Sequence, residues 1–200
     1  MNISINPPFD TVINRKNAEI LIHDVFNEDT LHVDIDKGWI NLKIRKILVN
    51  MFETLINCYF EVSNPQKAVI LTPDNLRLSY GLIPILSTVA YKMNLNLAIW
   101  KELGNFSNYT DIIYGDTQQA YDVFIIQDVI NYGGTFFRMS DELNKTQWKV
   151  KKYLTLFSIK NNGFPYNEIL NEVKKRLINL DNKDNFIIES LITIDIPQTK

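Results

Sequence analysis

Tyr121 to Thr135 reads YDVFIIQDVINYGGT, and this stretch decides the architecture. Val123 to Ile126 form a short apolar run rich in branched and aromatic residues, the pattern of a strand buried on both faces. Asp128 stands at that strand's C-terminal end, and Asn131, Tyr132, Gly133, Gly134 and Thr135 make a tight turn. FFRMSDEL then returns to helical spacing, with Phe136, Met139 and Leu143 on one side. Such a loop points backbone N–H groups at a helix N-terminus, where the macrodipole also favours an anion, so a phosphate suits it. A carboxylate just before the loop accepts hydrogen bonds from hydroxyls of the same ligand, and together these suggest a sugar phosphate. The simpler alternative is a glycine pair that only lets a strand turn into a helix, with Asp128 as a cap.

Outward from this stretch, strands and helices alternate. Residues 1–13 contain Pro7 and Pro8 and read as an irregular arm. Ala18, Leu21, Ile22, Val25 and Phe26 carry the spacing of an amphipathic helix, followed by a turn at Asn27, Glu28 and Asp29. LHVDID, from Leu31 to Asp36, alternates like a half-exposed strand. Residues 42–60 keep a helical stripe from Ile44 to Phe60 and predict a core helix. Ala68 to Leu71 is a buried strand, TPDNLRLSYG a loop, Leu82 to Met93 a helix with Pro84 in its first turn, and Leu95 to Trp100 the next strand. Residues 103–115 suit a flap or hairpin. YLTLFSI, residues 153–159, is another buried strand, and Asn161, Asn162 and Gly163 turn the chain. Pro165 opens a helix with Tyr166, Ile169, Leu170, Val173 and Leu177 inward, and FIIESLITIDI closes as a strand. This order predicts an α/β fold, a mainly parallel sheet with helices on both faces and ligands at the C-terminal strand ends.

The chain has 200 residues, enough for one α/β domain, and 46% hydrophobic with 22% charged residues is ordinary globular composition. A net charge of -2 argues against a nucleic-acid binder that relies on a general basic field, and the local clusters Lys149, Lys151, Lys152 and Lys174, Lys175 read as solvated faces. The single cysteine, Cys58, precludes an internal disulfide framework, fits a reducing compartment and lies in an apolar helical run, so a packed thiol is expected. His23 and His32 fit no metal spacing. No run approaches the roughly 20 apolar residues that span a bilayer, and MNISINPPFD lacks a signal peptide's basic start, so a cytoplasmic protein without membrane contact is expected. Neither G-x-G-x-x-G nor G-x-x-x-x-G-K occurs.

The central stretch resembles the phosphoribosyl-pyrophosphate (PRPP) signature of type I phosphoribosyltransferases, which runs four apolar residues, two acids, two apolar residues, two small hydroxyl residues, Gly, one more residue, then Ser or Thr. The apolar positions, Asp128, Gly133 and Thr135 fit it. LHVDIDKGWINL, YGLIPILSTVAYKMNLNLAIWKE and SLITIDIP are similar to segments of orotate phosphoribosyltransferase, in the same order over nearly the whole chain. The resemblance implies one domain over residues 1–200, with residues 1–40 as arm or hood and 41–200 as core. It implies a PRPP site running from Gln127 and Asp128 to Thr135, in which Asp128 holds the ribose hydroxyls, while Asn131, Tyr132, Gly133 and Gly134 with the Thr135 hydroxyl wrap the 5-phosphate. The loop from Thr72 through Pro73 and Asp74 to Gly81 would lie against the pyrophosphate, and Lys101 would reach toward it. Magnesium would arrive with PRPP and need few protein ligands. Such enzymes commonly form homodimers in which one subunit's loop completes its neighbour's site.

Four departures fall on these contacts. Gln127 replaces the first acid of the signature, Asn131 and Tyr132 replace the small hydroxyl pair, and Trp100 replaces an arginine. The mobile loop's Lys and Asp-His-Gly are replaced around Gly104, Asn105, Phe106 and Ser107, and no Lys, Arg or His occurs between Glu102 and Asp116. A loop without cations cannot neutralise leaving pyrophosphate. Two functions are therefore expected to compete. One is an orotate-type phosphoribosyltransferase of nucleotide metabolism, moving ribose 5-phosphate from PRPP to a nitrogen base. The other is a non-catalytic relative that senses PRPP or a nucleotide, or serves as an assembly subunit.

Overall fold

The apolar runs meet in one mixed sheet. The computed structural model describes residues 2–27, 32–59, 65–74, 81–101, 112–130, 133–161, 166–178, 180, 183, 186 and 188–196. Among them the strands are β1 (Asn2–Ile5), β2 (Phe26–Asn27), β3 (His32–Val33), β4 (Ala68–Asp74), β5 (Asn96–Lys101), β6 (Ile112–Tyr114), β7 (Asp122–Ile130), β8 (Lys149–Asn161) and β9 (Ile188–Ile196). The helices are α1 (Val12–Val25), α2 (Ile35–Ile40), α3 (Leu42–Tyr59), α4 (Leu82–Met93), α5 (Gly134–Leu143) and α6 (Tyr166–Arg176). Seven strands form the sheet in the order β1-β9-β8-β7-β4-β5-β6, and β2 pairs with β3 apart from it. The inner strands from β9 to β5 run parallel, while β1 and β6 are antiparallel edges.

Burial explains the layers. Ala18, Leu21 and Ile22 of α1, the α3 stripe Ile44, Leu48, Met51, Phe52 and Leu55, and Leu86 and Val89 of α4 share one core with Phe124, Ile126 and Leu156 of the sheet. Phe136 and Met139 of α5 and Ile169 and Val173 of α6 share the other with Leu71, Trp100, Ile125 and Tyr153. No helix of the described residues is long and apolar enough to cross a membrane.

Several expectations are corrected. The first residues are not an irregular arm: β1 pairs with β9, Ile3 opposite Ile194, and Thr11 caps α1 by accepting the Asn14 N–H at 3.2 Å. LHVDID is not one strand. Asp34 accepts the Lys37 N–H at 3.3 Å and starts α2, so capping overrides the alternation after Val33. The strand read as Ala68 to Leu71 runs on through Thr72 and Pro73 to Asp74, and the strand of the central stretch runs past Asp128 to Ile130. Asn161 is strand rather than turn. Cys58 is exposed, because it falls off the α3 stripe. Lys151 and Lys152 are half-buried rather than a solvated face. Lys151 pairs with Asp122 at 3.5 Å, and Lys152 lies 5.6 Å from the centre of the Tyr59 ring. The expected turn residues Glu28 and Asp29, the loop residues 75–80, the flap residues 103–111, Asn162, Gly163 and Pro165 lie outside the described residues.

A polar cluster fastens β1 to the sheet. The Asn6 amide donates to the Ser190 carbonyl at 2.7 Å, to the Ser190 hydroxyl at 2.9 Å and to the Thr193 hydroxyl at 2.9 Å. Ser190 in turn reaches Ser158 at 2.9 Å, and Ser158 and Thr193 are 3.0 Å apart. Asn6→Ala leaves these hydroxyls short of a partner and should lower stability by about 1–2 kcal/mol in urea denaturation. An unchanged midpoint would show that the Asn6 side-chain bonds contribute nothing to the fold.

Candidate functional site

Because the inner strands are parallel, their C-terminal ends share one edge. Asp74 and Lys101 are register partners at the ends of β4 and β5. β4 pairs with β7 up to Leu71 and Ile125, after which both strands continue toward that edge. Asp128 therefore comes to the same rim as Asp74 and Lys101. Gly81 begins α4 there and Gly133 begins α5.

The side-chain alternation of β7 slips at Asp128. Val123 and Ile125 face the α5–α6 core and Phe124 and Ile126 the other, yet Val129 packs with the same core as Ile126, and Ile130 with α5 and α6. The Asp128 carboxylate accepts the Val129 N–H at 2.8 Å, which holds this local departure from regular strand. Asp128 is 5% exposed and Gln127 3%. Gln127 opposes Thr155 of β8, a buried position that leaves it little access to ligand.

Gly133 adopts φ 73°, the left-handed region, and caps α5 without a side-chain hydrogen bond, while its carbonyl accepts the Phe137 N–H at 3.0 Å. A side chain at Gly133 would meet Ile169 and Phe137, whereas one at Gly134 would meet nothing within 4 Å. Gly134 and the half-buried Thr135 therefore form the open first turn of α5 rather than a loop before it, with the helix's free N–H groups toward the rim. Asn131 and Tyr132 lie outside the described residues.

The expected pyrophosphate segment is placed differently. Thr72 and Pro73 are buried in β4, Asp74 is half-buried at its end, and only Gly81 stands at a helix start. The Gly81 N–H donates to the Asp36 carboxylate of α2. Glycine is required at 81 by close approach, since a Cβ there would lie 2.9 Å from the Ile35 carbonyl. Lys101 is half-buried at the rim, while Trp100, one residue earlier, points into the α5–α6 core with the Arg138 guanidinium 5.9 Å from its ring centre.

Two residues near the rim had no signal in the spacing. Arg138, exposed on the second turn of α5, adds a cation beside the end of β5. Tyr153 of β8 is fully buried, its ring stacked 4.5 Å from Phe136, and burial together with the Asp128 carboxylate pushes its phenol well above the usual tyrosine range. Among the described residues the Tyr153 hydroxyl, the Thr72 hydroxyl and the Trp100 indole N–H are buried without a hydrogen-bond partner. Tyr153→Phe removes an unpartnered hydroxyl and should leave stability unchanged or raise it by up to about 1 kcal/mol. A lower midpoint in urea would show that the hydroxyl is bonded. Among the described residues no group of three or more His, Cys, Asp or Glu could hold a metal by itself.

No protein-family model matches the sequence, and no curated protein sequence matches it. Solved structures do. Adenine phosphoribosyltransferase from Saccharomyces cerevisiae is similar at TM-score 0.59 and 15% identity, covering 88% of this chain and 99% of its own. Orotate phosphoribosyltransferase from Aeropyrum pernix is similar at TM-score 0.57 and 11% identity, covering 92% and 90%. The orotate enzyme of Mycobacterium tuberculosis H37Rv, solved with inorganic phosphate, is similar at TM-score 0.55 and 10% identity, covering 89% and 94%. At these identities the likeness is one of fold, and it extends to adenine and orotate enzymes alike.

Proposed function

We propose, from the premise that the chain has the type I phosphoribosyltransferase fold, that its sheet rim binds PRPP and transfers ribose 5-phosphate to a nitrogen base, in the manner of the orotate enzyme. The observation that carries this reading is the pairing of Asp128, at the slipped end of β7, with the open N-terminus of α5 behind a left-handed Gly133. The helix N–H groups and the Thr135 hydroxyl take the 5-phosphate, and Asp128 takes the ribose hydroxyls. Lys101 faces the departing pyrophosphate. In the reaction the bond from ribose C1 to the pyrophosphate oxygen breaks as the base nitrogen bonds C1, and the protein contributes position and charge. Magnesium fits as a passenger of PRPP, because its phosphates supply most ligands and Asp128 or Asp74 the remaining carboxylate. When bound it would neutralise the diphosphate.

A second reading, binding without turnover, is favoured by one structural fact and one of sequence. Asp36 already occupies the Gly81 N–H at the start of α4, where a pyrophosphate oxygen would otherwise be received. The segment from Glu102 to Asp116 brings no cation.

Purified protein with PRPP, magnesium and a panel that includes orotate and adenine should release pyrophosphate with one base. Silence across the panel with PRPP binding retained in calorimetry selects the sensor, and loss of both disposes of the rim as a PRPP site. Sedimentation with and without PRPP tests for the homodimer.

A further inference from the structure

A cavity of about 280 Å³ opens among α2, α3 and α4, on the side of the sheet away from α5 and α6. Trp39 of α2, Arg45, Lys46, Val49 and Asn50 of α3, and Lys92 of α4 line it. None of them belongs to the rim described above. Three cations at one opening stand out in a chain whose net charge is -2. Lys92 is paired with Glu53. Arg45 lays its guanidinium 4.7 Å from the centre of the Trp39 ring, an arrangement that leaves the edge N–H donors available. Lys46 is exposed and makes no ion pair among the described residues. Asp36 of α2 accepts the Gly81 N–H and keeps its charge, so Glu53 and Asp36 stand against Arg45, Lys46 and Lys92, one positive charge in excess. The opening thus holds uncompensated positive charge beside an indole ring and the apolar Val49.

We propose that this cavity is a second ligand site, for a nucleoside monophosphate. Its volume lies just below the usual range of small-molecule sites, ~300–1,000 Å³, and gives room for a mononucleotide that stays partly open to solvent. Arg45 and Lys46 receive the phosphate. The base packs against Trp39 and Val49, with the Asn50 amide offering a donor and an acceptor to its edge. Trp39 also links the cavity to the rim. It shares α2 with Asp36, and a Cβ on Gly81 would lie 3.0 Å from the Trp39 Cβ, so the start of α4 is packed directly on this wall. A nucleotide that moves Trp39 therefore bears on Gly81, a coupling that rests on the proposed reading of the rim, whereas binding in the cavity does not.

Calorimetric titration of the full chain with UMP and AMP, in parallel with ribose 5-phosphate and inorganic phosphate, tests the site. Lys46→Glu is expected to weaken nucleotide binding in the cavity by about tenfold or more, with Lys46→Gln intermediate, while Asp128→Asn leaves that binding intact. Trp39 is the half-buried indole at the cavity while Trp100 and Trp148 are buried, so the part of a nucleotide-dependent change in indole emission that is lost in Trp39→Phe reports binding beside Trp39. Ribose 5-phosphate should bind more weakly than either nucleotide. Equal affinity of the Lys46 variants and the parent, binding lost only in Asp128→Asn, or no binding of UMP and AMP overturns the proposal. So does inorganic phosphate binding as tightly as the nucleotides, or a change of sedimentation in Lys46→Glu with nucleotide binding unaltered, which would make the face a contact between copies.

Discussion

Alanine at Gly133 should lower stability by about 2–3 kcal/mol, while alanine at Gly134 should change it by less than about 0.5 kcal/mol. The neighbours differ because only Gly133 has a left-handed backbone, at φ 73°. The left-handed conformation costs an L side chain roughly 1–2 kcal/mol. The new Cβ would also stand 3.0 Å from Ile169 Cγ2 and 3.3 Å from Phe137 Cζ, so two packed side chains must give way. At Gly134 the added methyl meets nothing within 4 Å, and alanine is the better helix former in the first turn of α5. Urea denaturation of the two variants checks this, and equal losses would mean that the corner is not held by backbone conformation. If the 5-phosphate of PRPP sits on that open turn, Gly134→Ala should still fold and yet bind PRPP more weakly, which separates ligand contact from folding.

Asp128→Asn is expected to weaken PRPP binding by about 1.5–3 kcal/mol, roughly 10- to 150-fold, the range for a hydrogen bond to a charged group. The substitution is nearly isosteric. The amide oxygen can still accept the Val129 N–H now bonded at 2.8 Å, so the end of β7 should keep its shape. Calorimetry with PRPP and magnesium reads the affinity, and a urea midpoint alongside it shows whether the fold was spared. An affinity equal to the parent's would refute the ribose-binding role even if pyrophosphate is released.

The elements carried by helical stripes were legible to within a few residues, because the stripe is a property of neighbours in sequence. Residues 82–93 match α4 end to end, and residues 42–60 match α3 to within one residue. Strand ends were less legible. Pro73 reads as a loop residue, yet it lies in β4, paired with Trp100 of β5. The register with β7 ends at Leu71, so the missing N–H of Pro73 breaks no ladder on that side. Of the rim, Asp128 and Gly133 could be found from the order acid, loop, helix. Tyr153 could not, since a tyrosine in a buried strand has no local mark of which carboxylate it will face. Cys58 is exposed for the converse reason: its apolar neighbours along the chain do not share its side of α3.

By itself the sequence determined the succession of buried strands and amphipathic helices and the glycine turn between β7 and α5, because side-chain period and turn composition are written into adjacent residues; that glycine is needed at 133 and not at 134 came from the backbone and its packing. Tertiary structure alone decided that β7 lies between β4 and β8, that Asp74, Lys101 and Asp128 share one rim, that Asp36 claims the Gly81 N–H and that Asn6 fastens the first strand to the last. Those contacts join residues far apart in the chain. Strand order and register set them, and no local spacing encodes either.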